Sequence, residues 1–214
     1  MALIFSFWCC SSKQDNQTRL PLKVEDSVSA EPAPRTATNP IGVTPNRLIV
    51  PGKSIGLTAL QEKAEVVTAR LGKPDSSDAA MGKALATWFS KPDTTVPKAA
   101  RHQTTIYFKT NMGGPDEASR VDQIRITSPY FLTIDSVHVN SDVASIQKSF
   151  PEIVKVAAYT SPQNAAKVTI YDDAAAGIAF EMNEQARCVA ITVHAANQGI
   201  KNSYLPLFPD MEKF

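Results

Sequence analysis

The chain lacks an excess of charge of either sign. Its 214 residues carry 22 Lys and Arg against 21 Asp and Glu, so the formal net charge is +1. A protein that binds nucleic acid or an anionic membrane surface through charge usually has a cationic excess or a basic patch. We therefore expect no nucleic-acid partner and no direct electrostatic attachment to a membrane.

Metal-ligating and nucleophilic motifs are also missing. The three cysteines, Cys9, Cys10 and Cys188, form neither a Cys-x-x-Cys pair nor a zinc-spaced set with histidine. No H-E-x-x-H or G-x-S-x-G motif surrounds the three histidines. The sequence predicts no catalytic residue, no cofactor and no metal, although a hydrolase with a dispersed active site stays open as an alternative.

The first ten residues are apolar and end in two cysteines. Residues 2–10, ALIFSFWCC, are far shorter than the roughly 20 residues that a membrane-spanning helix needs. They have the length of the apolar region of a secretory signal, about 7–15 residues. Cys10 then opens the polar stretch CSSKQDN, which resembles a bacterial lipoprotein signal. That resemblance implies lipidation at Cys10, with Cys9 as second choice; a hydrophobic end on a cytoplasmic protein is the alternative.

Residues 11–46 are rich in Ser, Thr, Pro, Asn and Gln and have no apolar periodicity. Such a composition cannot bury enough surface to offset the entropy of ordering. We predict a disordered tether that holds a folded part clear of a membrane.

The folded part is predicted to begin with a helix over residues 55–74. Thr58 and Gln61 have the spacing of a capping box, and Gly72 followed by Pro74 is a typical helix stop. Residues 75–83 are small and polar and predict a loop. Extended runs then predict strands over residues 84–89, 104–110 and 122–127, of which the last two alternate apolar and polar residues.

A similar order of elements follows in the second half. A helix is predicted over residues 141–150, with Val143, Ile146 and Phe150 each 79 residues after an apolar position of the first helix. Strands are predicted over residues 154–159, 167–171, 177–182 and 188–194. We predict an α+β fold of two tandem modules, 47–135 and 136–214, the second with a C-terminal tail. Each would pack a short helix on an antiparallel sheet of three or four strands.

This plan resembles the small exported modules of the β-lactamase-inhibitor-protein type and the small outer-membrane-assembly lipoproteins. Through PGKSIG, LGKPDSSDAAMGKAL and YDDAAAGIAFEM the chain also resembles uncharacterised lipoproteins of Bacteroidetes. The resemblance implies an exported protein of the cell envelope, in the periplasm or lipid-anchored at the outer membrane. It implies nothing about catalysis, because a fold does not fix a function.

Six aromatic residues on or after the predicted strands of the first module are the candidate binding surface. Strand alternation directs only part of them to the core, and exposed aromatics favour protein contact. We predict a non-catalytic module that binds envelope proteins and touches the membrane only through its lipid; a periplasmic inhibitor or small-ligand-binding protein is a further alternative. The six residues are Trp88, Phe89, Tyr107, Phe108, Tyr130 and Phe131.

Overall fold

The computed structural model describes residues 42–92, 94–95, 101–162, 164–201, 208 and 210–214. The predicted signal-like segment and residues 11–41 of the predicted tether lie outside them. The described residues form two short helices, α1 (Ala64–Leu71) and α2 (Val143–Ser149). They also form twelve strands, and the α+β class is therefore confirmed. In chain order these are β1 (Ile49–Val50), β2 (Ser54–Ile55), β3 (Thr58–Ala59), β4 (Ser76–Ala80), β5 (Lys83–Phe89), β6 (Gln103–Lys109), β7 (Arg120–Ile126), β8 (Val154–Thr160), β9 (Lys167–Asp173), β10 (Ile178–Met182), β11 (Cys188–His194) and β12 (Glu212–Lys213).

Nine of the described strands share one antiparallel sheet. Their order is β12-β8-β9-β10-β11-β7-β6-β5-β4, and β1–β3 form a separate small sheet. The strands after the two helices were predicted as two sheets, but β7 and β11 pair directly, with Ile126 opposite Ile191 and Ile124 opposite Val193. This pairing satisfies two strand edges that separate sheets would leave open.

The sequence-based start of the first helix is wrong. Thr58 belongs to β3 and Gln61 lies in a turn with φ +64°, so neither residue has the position that the capping box requires. One hydrogen bond of the same kind lies nearby: the Glu62 carboxylate accepts from the Ala59 backbone N–H, three residues earlier, at 3.3 Å. The predicted stop is correct: Gly72 follows α1 with φ +81°, a conformation that glycine adopts without strain.

The predicted loop at residues 75–83 is in fact mostly strand. β4 pairs with β5 along its whole length, and the connection runs through Met81 and Gly82, with φ of +49° and +73°. Two successive residues with positive φ give a hairpin turn whose twist matches that of the flanking strands. Small polar residues concealed this strand because they show no alternation.

The second half follows its prediction closely. α2 begins after Asp142, whose carboxylate accepts a hydrogen bond from the Ser145 backbone N–H at 2.8 Å. This is the usual side-chain cap of a helix N-terminus. The predicted strands at 154–159, 167–171, 177–182 and 188–194 correspond to β8–β11 within two residues at each end.

Side chains on the two faces of the large sheet have different surroundings. One face packs against Val67 of α1 and Ile146 of α2 and forms the larger core. The opposite face carries polar side chains as well as a smaller apolar cluster that includes Tyr159 and Phe208. Alternation along each strand produces this division, since successive side chains point to opposite faces.

Two motifs that were distant in the sequence meet at one end of the sheet. The Gly52 backbone N–H, in PGKSIG, donates to the Gly177 carbonyl, in YDDAAAGIAFEM, at 3.1 Å. Gly177 has φ +80°, and a Cβ there would lie 2.5 Å from the His194 carbonyl oxygen and 2.7 Å from the Gly52 Cα. Only a glycine fits so close an approach.

Candidate functional site

The six candidate aromatic residues do not form one surface. Trp88 and Phe108 point into the larger core, where both are buried. The Trp88 indole N–H donates to the Gly72 carbonyl at 3.0 Å, so the ring also fixes the end of α1. These two residues serve packing and are not available to a partner.

Phe89 and Tyr107 lie on the opposite face of the sheet. The Arg101 guanidinium carbon is 4.9 Å from the Phe89 ring centroid, which is a cation–π contact. Burial raises the pKa of Tyr107 to about 12, with smaller opposing effects from the charges of Arg125 and Glu181. Both rings are therefore engaged within the chain.

Tyr130 and Phe131 follow β7 and form an aromatic pair in which Tyr130 is exposed and Phe131 is partly buried against the larger core. Their rings meet edge to face at a centroid distance of 5.2 Å. Arg47 donates from Nε to the Tyr130 carbonyl at 3.1 Å and places its guanidinium carbon 5.0 Å from the Tyr130 ring centroid. Asn46 donates to the Tyr130 hydroxyl at 3.2 Å. Although 46% of Tyr130 is exposed, these contacts hold its ring in one orientation.

An apolar pocket of about 250 Å³ lies beside this aromatic pair. Its floor is formed by β7 side chains from the core face, and its rim by Leu57, Leu71 and Tyr130. These three rim residues are the exposed large hydrophobic residues of the region, and Leu57 is 59% exposed. We call this the apolar pocket; its lining is Asn46, Ile55, Leu57, Thr58, Arg70, Leu71, Thr104, Ile124, Ile126, Tyr130 and Phe131.

Arg70, which lines the apolar pocket, and Arg47, which contacts Tyr130, differ in their charge balance. Arg70 donates to both carboxylate oxygens of Glu62, at 2.8 and 2.6 Å. The hydrogen bond from Arg70 lowers the pKa of Glu62, and the same bond raises the pKa of Arg70. Arg47 lies outside the pocket lining, against the Tyr130 ring, and makes no ion pair with a described residue. The pocket can thus hold an apolar group with a negative group beside it.

A larger polar cleft, of about 870 Å³, lies between α2 and the loop that precedes it. His138 and the carboxylates of Asp135 and Asp142 line it, together with several serines. The His138 ring contacts the Val139 carbonyl through Nδ1 at 2.6 Å, and Ser141 Oγ accepts a hydrogen bond from the His138 backbone N–H. The ring is therefore oriented by a carbonyl, and the serine oxygen by a backbone N–H.

A buried ionic cluster on the polar face of the sheet was not predicted from the sequence. Arg125 donates to Glu181 through Nε and Nη2, both at 2.6 Å, and the Tyr159 hydroxyl donates to Glu181 at 2.6 Å. The side chains of Arg125 and Glu181 are only 7% and 5% exposed. Burial alone would lower the pKa of Arg125, but attraction to Glu181 and their hydrogen bonds outweigh it and raise that pKa. Burial raises the pKa of Tyr159, and Glu181 adds to this effect.

A second buried pair, His194 and Asp172, lies on the same face. His194 contacts Asp172 through Nε2 at 2.8 Å and the Ala195 carbonyl through Nδ1 at 3.0 Å. The other Asp172 carboxylate oxygen accepts from the Ile200 backbone N–H at 3.2 Å. The sequence does show a histidine in an apolar strand and an aspartate at the end of another strand. It does not show that the two pair, because that contact requires the strand order of the sheet. Asp172 was predicted as part of a hairpin turn; it is the buried penultimate residue of β9.

The remaining candidates are a thiol, a metal and a membrane segment. Cys188 is buried, as expected, and burial raises the pKa of its thiol. No three His, Cys, Asp or Glu residues of the described chain come together as metal ligands would. Among the described residues, neither helix has the length and apolar character to cross a membrane. Cys9, Cys10 and most of the predicted C-terminal tail lie outside the described residues.

Comparison with protein-family models, with curated proteins and with solved structures found no match for this chain.

Proposed function

We propose that this chain is an exported, non-catalytic binding module of the cell envelope, anchored through lipid at Cys10. We further propose that its apolar pocket takes an aliphatic or aromatic side chain of an envelope protein. A carboxylate next to that side chain would pair with Arg47. The observation that carries the proposal is the exposed apolar rim of Leu57, Leu71 and Tyr130 around a pocket already formed.

The size and setting of the pocket favour a protein side chain over a small molecule. Small-molecule sites usually enclose about 300–1,000 Å³, and this pocket is below that range, at about 250 Å³. Its rim combines a fixed tyrosine with an arginine, the residue types most often found at energetic centres of protein interfaces. A small-ligand-binding protein or an inhibitor is the alternative that uses the same pocket.

The hydrolase alternative rests on the polar cleft with His138. A hydroxyl nucleophile needs a base within hydrogen-bond reach, oriented by a third group. Among the described residues, the ring hydrogen bonds of the three histidines go to backbone carbonyls and to Asp172. We therefore rank a catalytic role for the cleft below binding at the apolar pocket.

We also propose that the chain contains two tandem modules. α1 is followed by β4–β7 and α2 by β8–β11, and each set of four strands is consecutive in the sheet. The helices begin 79 residues apart, at Ala64 and Val143. The order of elements and this spacing support an internal repeat of the β-lactamase-inhibitor-protein type.

Metabolic labelling with a fatty-acid probe tests the anchor. We expect label on the wild-type chain and on Cys9→Ala, and none on Cys10→Ala. Label that persists in Cys10→Ala but disappears in Cys9→Ala would move the anchor to Cys9. A chain that takes no label would contradict the lipoprotein assignment.

Site-specific photo-crosslinking in the native host tests the pocket. A crosslinking residue at position 57 should give a discrete adduct, and one at position 112, equally exposed but remote from the pocket, should not. The adduct should disappear in an Arg47→Glu or Tyr130→Ala background. If positions 57 and 112 give the same adducts, the pocket is not a protein-binding site.

A further inference from the structure

The two ends of the nine-stranded sheet are protected in different ways. At one end the exposed strand β4 carries Asp78, whose carboxylate accepts a hydrogen bond from the Ala79 backbone N–H at 2.8 Å. A charged side chain that satisfies its own strand discourages further pairing. At the other end, the described residues that bond to the outer edge of β8 are among the last five of the same chain, with Glu212 and Lys213 paired as strand β12. Of the two edge strands, β8 is therefore the one with which another strand can pair.

Main-chain bonds on the outer edge of β8 are provided by these last residues. The Val156 carbonyl accepts from the Phe214 backbone N–H at 3.0 Å, and Ala158 lies opposite Glu212. The next outward group, the Thr160 backbone N–H, donates instead to the Asp210 carboxylate at 2.8 Å. The hydrogen bond from Thr160 lowers the pKa of Asp210. The ladder thus ends early, with a side chain where a strand would supply a carbonyl.

An aromatic socket adjoins this edge on the polar face of the sheet. The Phe208 ring stacks on the Tyr159 ring at a centroid distance of 3.5 Å and an interplanar angle of 6°. The Arg125 guanidinium carbon lies 5.3 Å from the Phe208 centroid. Phe208 is 8% exposed, so its ring is almost fully enclosed. The platform below it is rigid because Glu181 binds both Tyr159 and Arg125.

We propose that the β8 edge and this socket form a docking site for an extended segment of a partner protein, which displaces the chain's own last residues. The segment would add a strand antiparallel to β8 and place an aromatic side chain between Tyr159 and Arg125. The contacts of the present occupant define what fits: an aromatic residue, then an acceptor for Thr160 two residues later, then a short strand. This site is independent of the apolar pocket.

The present occupant is suited to exchange. Strand β12 has two residues, both exposed, and the Phe214 side chain beyond it is 72% exposed. A separate segment can place a main-chain carbonyl opposite the Thr160 N–H, where the Asp210 carboxylate now accepts the hydrogen bond. Because the present occupant belongs to the same chain, it competes with a separate segment through its effective concentration. A partner strand with more pairs overcomes that advantage.

A labelled peptide with the sequence of residues 207–214, LFPDMEKF, tests the site on the full-length protein. Its apparent dissociation constant is inversely proportional to the fraction of molecules in which the tethered residues have left β8. Phe208→Ala removes the tethered ring but leaves the platform, so it should tighten peptide binding at least tenfold, about 1.4 kcal/mol. Phe214→Ala changes an exposed ring in the same segment and should leave binding as in the wild type.

Two further comparisons make the result decisive. Asp210→Ala, at an exposed position, should tighten peptide binding a few-fold even if Phe208→Ala folds poorly. The control peptide LAPDMEKF should lose at least tenfold in affinity for the Phe208→Ala protein. The proposal is overturned if neither variant binds LFPDMEKF more tightly than the wild type does. Concentration-dependent dimerisation that the peptide suppresses would instead make a second copy the occupant, and would overturn the assignment to a partner protein.

Discussion

The buried Arg125–Glu181 pair gives the sharpest stability prediction. Glu181→Leu removes the carboxylate that receives two bonds from Arg125 and one from Tyr159, and leaves the guanidinium buried without a counter-charge. Removal of one member of a buried ion pair typically costs about 3–5 kcal/mol, whereas replacement of all its members by apolar groups is often neutral. The free energy of unfolding should therefore fall by that amount in Glu181→Leu. The triple variant Arg125→Met, Glu181→Leu, Tyr159→Phe should regain most of the free energy of unfolding that Glu181→Leu loses.

Urea unfolding followed by circular dichroism measures these free energies. For a chain of this size a loss of 3–5 kcal/mol corresponds to a melting temperature lower by about 6–20 °C. Comparison of Glu181→Leu with the triple variant separates the penalty of an unpaired buried charge from the net contribution of the whole cluster. The reasoning is refuted if Glu181→Leu costs less than about 1 kcal/mol, or if the triple variant is less stable than Glu181→Leu.

Three other predictions concern backbone geometry, pH and capping. Gly177→Ala should cost at least about 2 kcal/mol more in urea unfolding than Gly113→Ala, because both glycines have positive φ but only Gly177 is closely surrounded. The folded chain raises the pKa of Tyr107 to about 12, so its neutral form adds stability that is present below the unfolded value near 10 and is lost between pH 10 and 12. Between pH 10 and 12 the free energy of unfolding of Tyr107→Phe should therefore fall less than that of the wild type, by at most about 2–3 kcal/mol. Equal falls in the two proteins would contradict this. Asp142→Ala should lower the free energy of unfolding by about 1 kcal/mol through loss of the α2 cap, and Asp142→Asn should retain most of it.

Alternation predicted most of the sheet, and local signals failed where tertiary pairing decided the outcome. Strands β6, β7, β10 and β11 follow from apolar residues at every second position, and β5, β8 and β9 from shorter strand-like runs. The start of α1 could not be read in this way. Thr58 and Gln61 have good capping spacing, but residues 54–59 instead pair as β2 and β3. β4 was missed because its small residues show no pattern, and its strand character comes from pairing with β5.

The candidate site was predictable only for its aromatic pair. Tyr130 and Phe131 were among the six aromatics chosen, yet the apolar pocket beside them also needs Leu57 and Leu71, which belong to other elements. The ionic cluster was not predictable from alternation at all. Polar residues at every second position are expected to face solvent, and Arg125 is buried because residues from later in the chain, including Phe208, cover that face.

Strand β7 links the two proposed sites, because its consecutive residues point to opposite faces. Ile124 and Ile126 form part of the apolar pocket, and Arg125 between them crosses above β11 to reach Glu181 on β10. The ion pair therefore joins β7, the last strand of the first half, to the second half of the sheet, and it also supports the socket for Phe208. Substitution of Arg125 removes no side chain from the apolar pocket. A change in pocket binding in an Arg125 variant would thus report movement of the β7 backbone, whereas a change confined to the β8 site would report loss of the socket alone.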